Sequence, residues 1–335
     1  MTRDQKALQF WLFACAGLVF AMVLVGAVTR LTDSGLSITE WKPFSGAIPP
    51  LNEQEWQRVF GLYKESPEFT KQNFWMTLAD FKIIFFWEWF HRFLGRIIGL
   101  AFAVPLLIFW IRKKIPQGYH LKFLGLLLLG GLQGVMGWVM VQSGLIDRPD
   151  VSHYRLAAHL VLALLIFAAL VWQGLNLNPL KRRSHSALYT HGWLALGAYM
   201  LTVFWGAYTA GLDAGLIYNE SFPKMGNQWL PPGLWSYQPW WINFFENPIG
   251  VQFIHRWLAM LTVVSILSFW LHALHKRHSF PVLHALALMI LLQMGLGIAT
   301  LFSSVALPLA VLHQAGAVTV LLLLITSLHQ LRPNS

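Results

Sequence analysis

A single cysteine, Cys15, stands in the whole chain. An intrachain disulfide, a CxxC redox pair and a thiolate metal cluster are therefore excluded. Charge is equally scarce. Asp, Glu, Lys and Arg make up 11% of the 335 residues, where a soluble domain carries about 25%. Acidic residues are the rarer sign, 14 against 24 basic, for a formal net charge of +10. The basic residues punctuate apolar runs and form no polar face of their own, so no nucleic-acid partner is expected. What remains is apolar: 56% hydrophobic residues, with 17 Trp and 24 Phe. This is the composition of a polytopic membrane protein whose surface meets lipid and other helices.

A membrane span needs about 20 mostly apolar residues. Eight such runs can be read, at roughly 9–29, 87–111, 121–142, 154–174, 191–210, 251–272, 281–302 and 308–329. The N-terminal MTRDQKALQF leads into the first run without a small-residue cleavage site, so that run reads as a retained span. No Arg- and Ser-rich transit peptide precedes it, which points to a bacterial chain. Short basic segments recur on one side: Arg3 and Lys6; Arg112, Lys113, Lys114 and Lys122; Lys181, Arg182 and Arg183; Lys276 and Arg277; and Arg332. The positive-inside rule makes that side cytoplasmic, with both termini inside and the chain in the bacterial inner membrane. Two long outer loops follow, about 30–86 and 211–250. Trp41, Trp56 and Trp75 mark the first, and Trp229, Trp235, Trp240 and Trp241 the second. They read as interfacial anchors or as a cover over a site at the outer face. In the first loop, PPLNEQEWQRVFGLY predicts a short helix with Asn52 as N-cap and Glu55 three residues on.

The chain repeats itself. Thr29, Asp33 and Gly35 recur as Thr209, Asp213 and Gly215. His91–Arg92 recurs as His255–Arg256, Gln133 and Gly137 as Gln293 and Gly297, and His159 as His313. The order is kept, so a four-helix unit has been duplicated, giving halves 1–175 and 176–335. Both halves start inside, which predicts an all-α fold of eight spans in two four-helix bundles related by a pseudo-twofold axis along the membrane normal.

Of the 13 histidines, most fall at or beyond cytoplasmic ends, and His153 sits at the mouth of the fourth span. His91, His159, His255 and His313 instead lie in spans 2, 4, 6 and 8, at one depth near the outer ends. A lone membrane histidine is usually a packing residue; four at equivalent repeat positions suit metal ligation. Zinc takes three or four protein ligands. A haem iron brings four equatorial nitrogens and needs only axial ligands, so two imidazoles per bundle suffice. Gly95, Gly99, Gly134, Gly137, Gly295 and Gly297 would admit a flat macrocycle, or would serve helix packing alone. Arg92, Arg96, Arg155 and Arg256 flank the proposed ligands, and at least two of them are expected to pair with propionates, against the alternative of snorkelling to headgroups. The halves differ at one point. Glu88, three residues before His91, has Gln252 as its counterpart before His255. A carboxylate in a membrane helix is a functional candidate; the structural alternative is an i,i+4 ion pair with Arg92. Chemistry is thus expected in the first half and a permanent cofactor in the second.

These residues resemble the haem A synthases over nearly the whole chain, most closely from TEWKPFSGAIPPLNEQEW through PEFTKQNFWMTLADFKIIFFWEWFHRFLGR. The branch is the proteobacterial and mitochondrial type; the outer-loop cysteine pair of another branch is missing. The resemblance implies oxidation of the C8 methyl of haem O to a formyl group by two hydroxylations and loss of water, giving haem A for terminal oxidases. It implies that His91 and His159 hold the substrate haem, that His255 and His313 hold a haem b for electron transfer, and that Glu88 stabilises charge or takes a proton at the methyl carbon. Haem O synthase and oxidase-assembly proteins are implied partners, and a homo-oligomer is compatible. Two other readings share the ligand pattern: a di-haem quinol-oxidising cytochrome b and a non-enzymatic haem carrier.

Overall fold

Thr77 starts the longest helix by a reciprocal capping arrangement. Its side chain accepts from Asp80 N, and Asp80 accepts from Thr77 N at 2.9 Å. The computed structural model, which describes residues 2–42, 45–144 and 149–333, contains nine α-helices among those residues. They are α1 (Arg3–Leu31), α2 (Glu53–Lys64), α3 (Leu78–Ile111), α4 (His120–Gly144), α5 (His153–Leu177), α6 (Ser186–Gly211), α7 (Pro248–His275), α8 (Pro281–Phe302) and α9 (Leu307–Leu331). Proline occupies the first turn of α7, α8 and α9, where its missing N–H costs no hydrogen bond. No strand occurs among the described residues.

Seven helices, α1, α3, α4, α5, α7, α8 and α9, are long and apolar enough to cross a membrane. The eight expected spans thus become seven on length and apolarity. The other, α6, has 26 residues and rises about 39 Å at ~1.5 Å per residue, more than the ~30 Å hydrocarbon layer. His191, three Tyr, two Trp and four Gly dilute its apolar character. The second expected run begins at 87, whereas α3 begins at Leu78. Asp80 and Lys82 hid those extra turns from a reading by hydropathy.

The chain divides into two compact units, Gly17–Ala163, and Met1–Ala16 with Leu164–Ser335. The divisions fall inside α1 and α5, so each of those helices contributes to both units. In the larger unit α6 packs on α7, α7 on α8, α8 on α9, and α9 back on α6, a closed ring of four. Tyr199 Oη donates to Ala317 O at 2.7 Å and so ties α6 to α9. The Thr202 and Thr262 hydroxyls meet at 2.8 Å between α6 and α7. In an apolar medium, such satisfied polar contacts and close packing hold helices together, since lipid supplies no hydrophobic drive.

In the unit Gly17–Ala163 the long segment between α1 and α3 carries α2. Asn52 caps it as expected, accepting from Glu55 N at 2.9 Å. Glu55 does not complete a capping box; its carboxylate accepts from Arg58 instead. Phe60 and Tyr63 of α2 pack on Phe81, Ile84 and Phe85 of α3. Phe81 lies 5.0 Å from Phe60 and 5.1 Å from Tyr63 between ring centroids. Such aromatic pairs add about 0.5–1.5 kcal/mol each beyond their buried area. Arg58 also pairs with Glu40 at 2.7 Å, and Lys42 reaches the same carboxylate at 2.9 Å. Arg58 and then Lys42 hold the Glu40 carboxyl down at about 2. The strip around 38–42 is thereby fastened over α3.

Candidate functional site

Each of the four singled-out histidines lies on a glycine of a neighbouring helix. A Cβ built on Gly26 of α1 would come 3.0 Å from His91 Cε1 on α3. On Gly137 of α4 it would come 3.2 Å from His159 Cε1 on α5. The corresponding approaches are 2.9 Å from Gly206 of α6 to His255 on α7, and 2.8 Å from Gly297 of α8 to His313 on α9. Gly26 and Gly206 obey the 180-residue offset of the repeat, and Gly137 and Gly297 the 160-residue offset.

The surrounding contacts recur as well. Gln133 Nε2 donates to His159 O at 3.1 Å and lies 3.2 Å from the ring Nε2. Gln293 Nε2 donates to His313 O at 2.9 Å and lies 3.2 Å from the ring Nδ1. Arg92 Nη2 donates to Ile38 O at 3.0 Å, and Arg256 Nη2 to the repeat-equivalent Tyr218 O at 2.6 Å. Thr29 Oγ1 donates back to Val25 O at 2.8 Å, and Thr209 Oγ1 to Trp205 O at 2.9 Å. Asp33 and Asp213 take the left-handed conformation at φ 48 and 49 just beyond α1 and α6. Asp tolerates that region through local hydrogen bonding where most residues do not.

Glu88 is where the two units part. It is 3% exposed. Its Oε2 accepts from Ser37 Oγ and from Ile38 N, both at 2.7 Å, and its Oε1 pairs with Arg92 at 2.5 Å. The i,i+4 ion pair weighed in the sequence therefore exists, alongside two further donors. Gln252 sits in the matching place and donates to Ile217 O at 2.6 Å. Ile217 is the repeat partner of Ser37. One loop position thus donates to a carboxylate in one unit and accepts from an amide in the other.

Would these pairs suit a haem? Among the described residues no group of three or more His, Cys, Asp or Glu could hold a bare metal ion. Two imidazoles suit a metal that brings its own equatorial ligands. His91 Nδ1 and His159 Nδ1 are buried with no hydrogen-bond partner among the described residues. His255 Nδ1 lies 3.0 Å from Thr202 O. A carbonyl can only accept, so the proton is on Nδ1 and the Nε2 lone pair is left for a metal. The glycine contacts bring each imidazole close against a neighbouring helix. The donor set fits.

The arginines divide. Arg256 spends its guanidinium on the carbonyls of Tyr218, Ser221 and Lys224. Arg92 is held by Glu88 and Ile38 O, and Arg96 donates to Lys42 O at 3.2 Å. Arg155 makes no hydrogen bond or ion pair with any described residue.

A family model described as a cytochrome oxidase assembly protein (COX15-CtaA) matches residues 9–325. The chain belongs to this family. A relative in Rhodospirillum centenum, named haem A synthase, is 48% identical over 334 residues, covering 98% of this chain and 89% of its own. Haem A synthases of Nitrosospira multiformis and Parvibaculum lavamentivorans are each 45% identical, across 98% of this chain and 94% and 95% of theirs. The family match thus takes in both histidine pairs and both loop strips.

Several residues of this family member escaped the sequence reading. Gly26 and Gly206 lie within the recognised repeat segments VGAVT and WGAYT, and the 180-residue offset could have exposed them. Of the six glycines named from sequence, Gly137 and Gly297 meet histidines; Gly95 meets Met22, and Gly99, Gly134 and Gly295 meet nothing within 4 Å. Ser37 and Ile38 carried no signal, because the contact spans some fifty residues of loop.

These contacts give a steric prediction. Gly206→Ala and Gly297→Ala force an imidazole to move, at about 1–3 kcal/mol for an overpacked site. Gly134→Ala and Gly295→Ala meet open space. Haem absorbance per chain after purification is expected to fall in the first two variants and to hold in the last two. Equal haem content in all four would refute the glycine seats.

Proposed function

We propose that the chain oxidises the C8 methyl of haem O to a formyl group, the reaction that makes haem A. Family membership and the haem A synthases related over nearly its whole length support this. The single observation that carries the division of labour is the Glu88/Gln252 difference on an otherwise repeated set of contacts. On this reading His91 and His159 hold the substrate haem O, and later the product haem A. His255 and His313 hold a resident haem b, whose iron supplies one-electron redox chemistry when bound.

The protein's own groups then act as follows. The two pairs fix the plane and depth of each macrocycle. Glu88, one turn from His91 on α3, places a negative charge where positive charge develops at the methyl carbon, or takes a proton as water attacks. Its three donors keep the carboxylate from rotating away, a preorganisation worth more in a dry site than in water. Arg155 is the propionate partner this arrangement favours first, because Arg92, Arg96 and Arg256 already reach loop carbonyls. Two hydroxylations by water yield a geminal diol, and loss of one water gives the aldehyde. The sum releases four electrons and four protons.

The architecture we propose has α6 as an eighth span and two four-helix bundles, 1–175 and 176–335, related by a pseudo-twofold axis. The basic short loops favour cytoplasmic termini in a bacterial inner membrane. Haem O synthase would supply the substrate, oxidase-assembly proteins would receive the product, and a homo-oligomer is compatible with this arrangement.

The test is chemical. The chain is expressed with a haem O source in a host lacking haem A, and extracted haems are identified. Haem A is expected. Haem O and haem B alone, from a folded and haem-loaded protein, would leave a di-haem cytochrome or a haem carrier and overturn the proposal.

A further inference from the structure

A second buried carboxylate lies in the same unit as Glu88 and has no part in that scheme. Glu68, in the first outer loop, is 4% exposed. Tyr63, near the end of α2, is fully buried. Asn73 Nδ2 donates to the Tyr63 hydroxyl at 2.8 Å, which leaves the hydroxyl its own proton to donate. Glu68 Oε2 has no hydrogen-bond partner among the described residues. Tyr63 stacks on Phe81 of α3. Phe81, Phe85 and Glu88 follow at i, i+4 and i+7, hence on one helix face. Glu68 therefore stands over the face of α3 that carries Glu88, about two turns toward the helix start.

We propose that Glu68 is the proton-relay residue that takes protons from the Glu88 site and passes them to the outer surface. This rests on the oxidation of haem O proposed above. Each hydroxylation adds a water oxygen to the methyl carbon, sends two electrons to the oxidant of the reaction and releases two protons. A buried site must export those protons. The ionised Glu68 accepts one at its bare Oε2 and becomes the neutral acid. It then returns to the carboxylate by releasing the proton toward the exposed side.

The charges around Glu68 are arranged for this. Glu88, Asp33 and Asp150 all act on it through their charge. Asp33 is paired with Arg30 at 2.7 Å, and Asp150 accepts from Gln72 at 3.2 Å. Both Asp33 and Asp150 are exposed. Burial is the main cause that pushes the Glu68 carboxyl up to about 8; the Tyr63 hydroxyl opposes the shift and the three carboxylates add to it. A group poised near working pH both accepts and releases protons. The accepting form is the carboxylate, so the rate should rise with pH through about 8 and level off above it.

The experiment uses the full chain with both haems bound. Haem O oxidation is followed against pH in the parent, Glu68→Gln and Tyr63→Phe, with infrared spectra of carboxyl protonation on the same samples. In the parent, a protonated-carboxyl band should disappear near pH 8, and the rate should rise there. Glu68→Gln should lack both, with a plateau rate lower by at least about ten-fold and unchanged haem absorbance. Tyr63→Phe removes the hydroxyl that opposes the shift and should move the band and the rate limb to higher pH together. A parent-like pH profile in Glu68→Gln overturns the relay. So does loss of haem in step with activity, which would make Glu68 a structural acid. A parent that binds haem O but never oxidises it sinks the underlying function instead, a distinct result.

Discussion

Glu88→Gln is expected to keep both haem sites filled and to lower haem O oxidation by about 10²–10⁴-fold, the range of a lost acid–base or charge-stabilising group. The variant should fold, and the second half of the chain supplies the reason. Gln252 occupies the equivalent place there and Arg256 remains buried beside it. Arg256 meets no carboxylate among the described residues, and its Nη groups donate to three loop carbonyls. In Glu88→Gln the amide oxygen can still accept from Ser37 Oγ and Ile38 N, and Arg92 keeps its bond to Ile38 O. What is lost is the charge. Breaking a buried ion pair by removing one partner commonly costs 3–5 kcal/mol, but Arg92 is 15% exposed and retains a carbonyl acceptor, so the loss should fall well below that. Haem extraction and the absorbance of purified protein separate the two effects. Normal haem A from Glu88→Gln would remove the proposed role of the carboxylate while leaving the histidine pairs untouched.

Repeats made this molecule legible. Asp33 and Asp213, the two His–Arg pairs and Gln133 with Gln293 were placed in register by sequence, and the register carried their contacts with it: the same φ, the same loop carbonyl and the same glutamine-to-carbonyl bond. A duplicated unit repeats its local physics because each contact is short and fixed by residue type. Asn52 was legible for a related reason, since an N-cap is read within four residues. What sequence hid was long-range. Nothing in PEFTKQN, a polar stretch, announces that Glu68 is buried; its burial comes from Tyr63 and Phe81, brought together by the packing of α2 on α3. The arginines differ for the opposite reason. Position next to a ligand suggested propionates for at least two of the four, and Arg92, Arg96 and Arg256 reach loop carbonyls that no spacing rule foretells. The family match likewise reaches the fold and the activity, but not the partners of single guanidiniums.

His255→Ala should stop haem A formation almost entirely while leaving the Glu88 site intact, the largest effect expected of any change outside that site. The imidazole is held from two sides. Gly206 sits under its Cε1, and Thr202 O takes the proton of Nδ1, which fixes the orientation of Nε2. Alanine removes the ligand and opens a cavity, so the resident haem b should be lost and bound haem should fall from two per chain toward one. His91→Ala makes the contrast. It should lose the substrate haem and keep the haem b spectrum, because its contacts lie wholly within the unit Gly17–Ala163. The two variants would then share an inactive phenotype with different remaining haems: haem O bound and unoxidised in His255→Ala, haem b alone in His91→Ala. Pyridine haemochrome spectra and extracted-haem chromatography distinguish them. Haem A made at the parental rate by His255→Ala would show that electrons leave the methyl group without the second haem, and the division between a changed haem and a held one would fail.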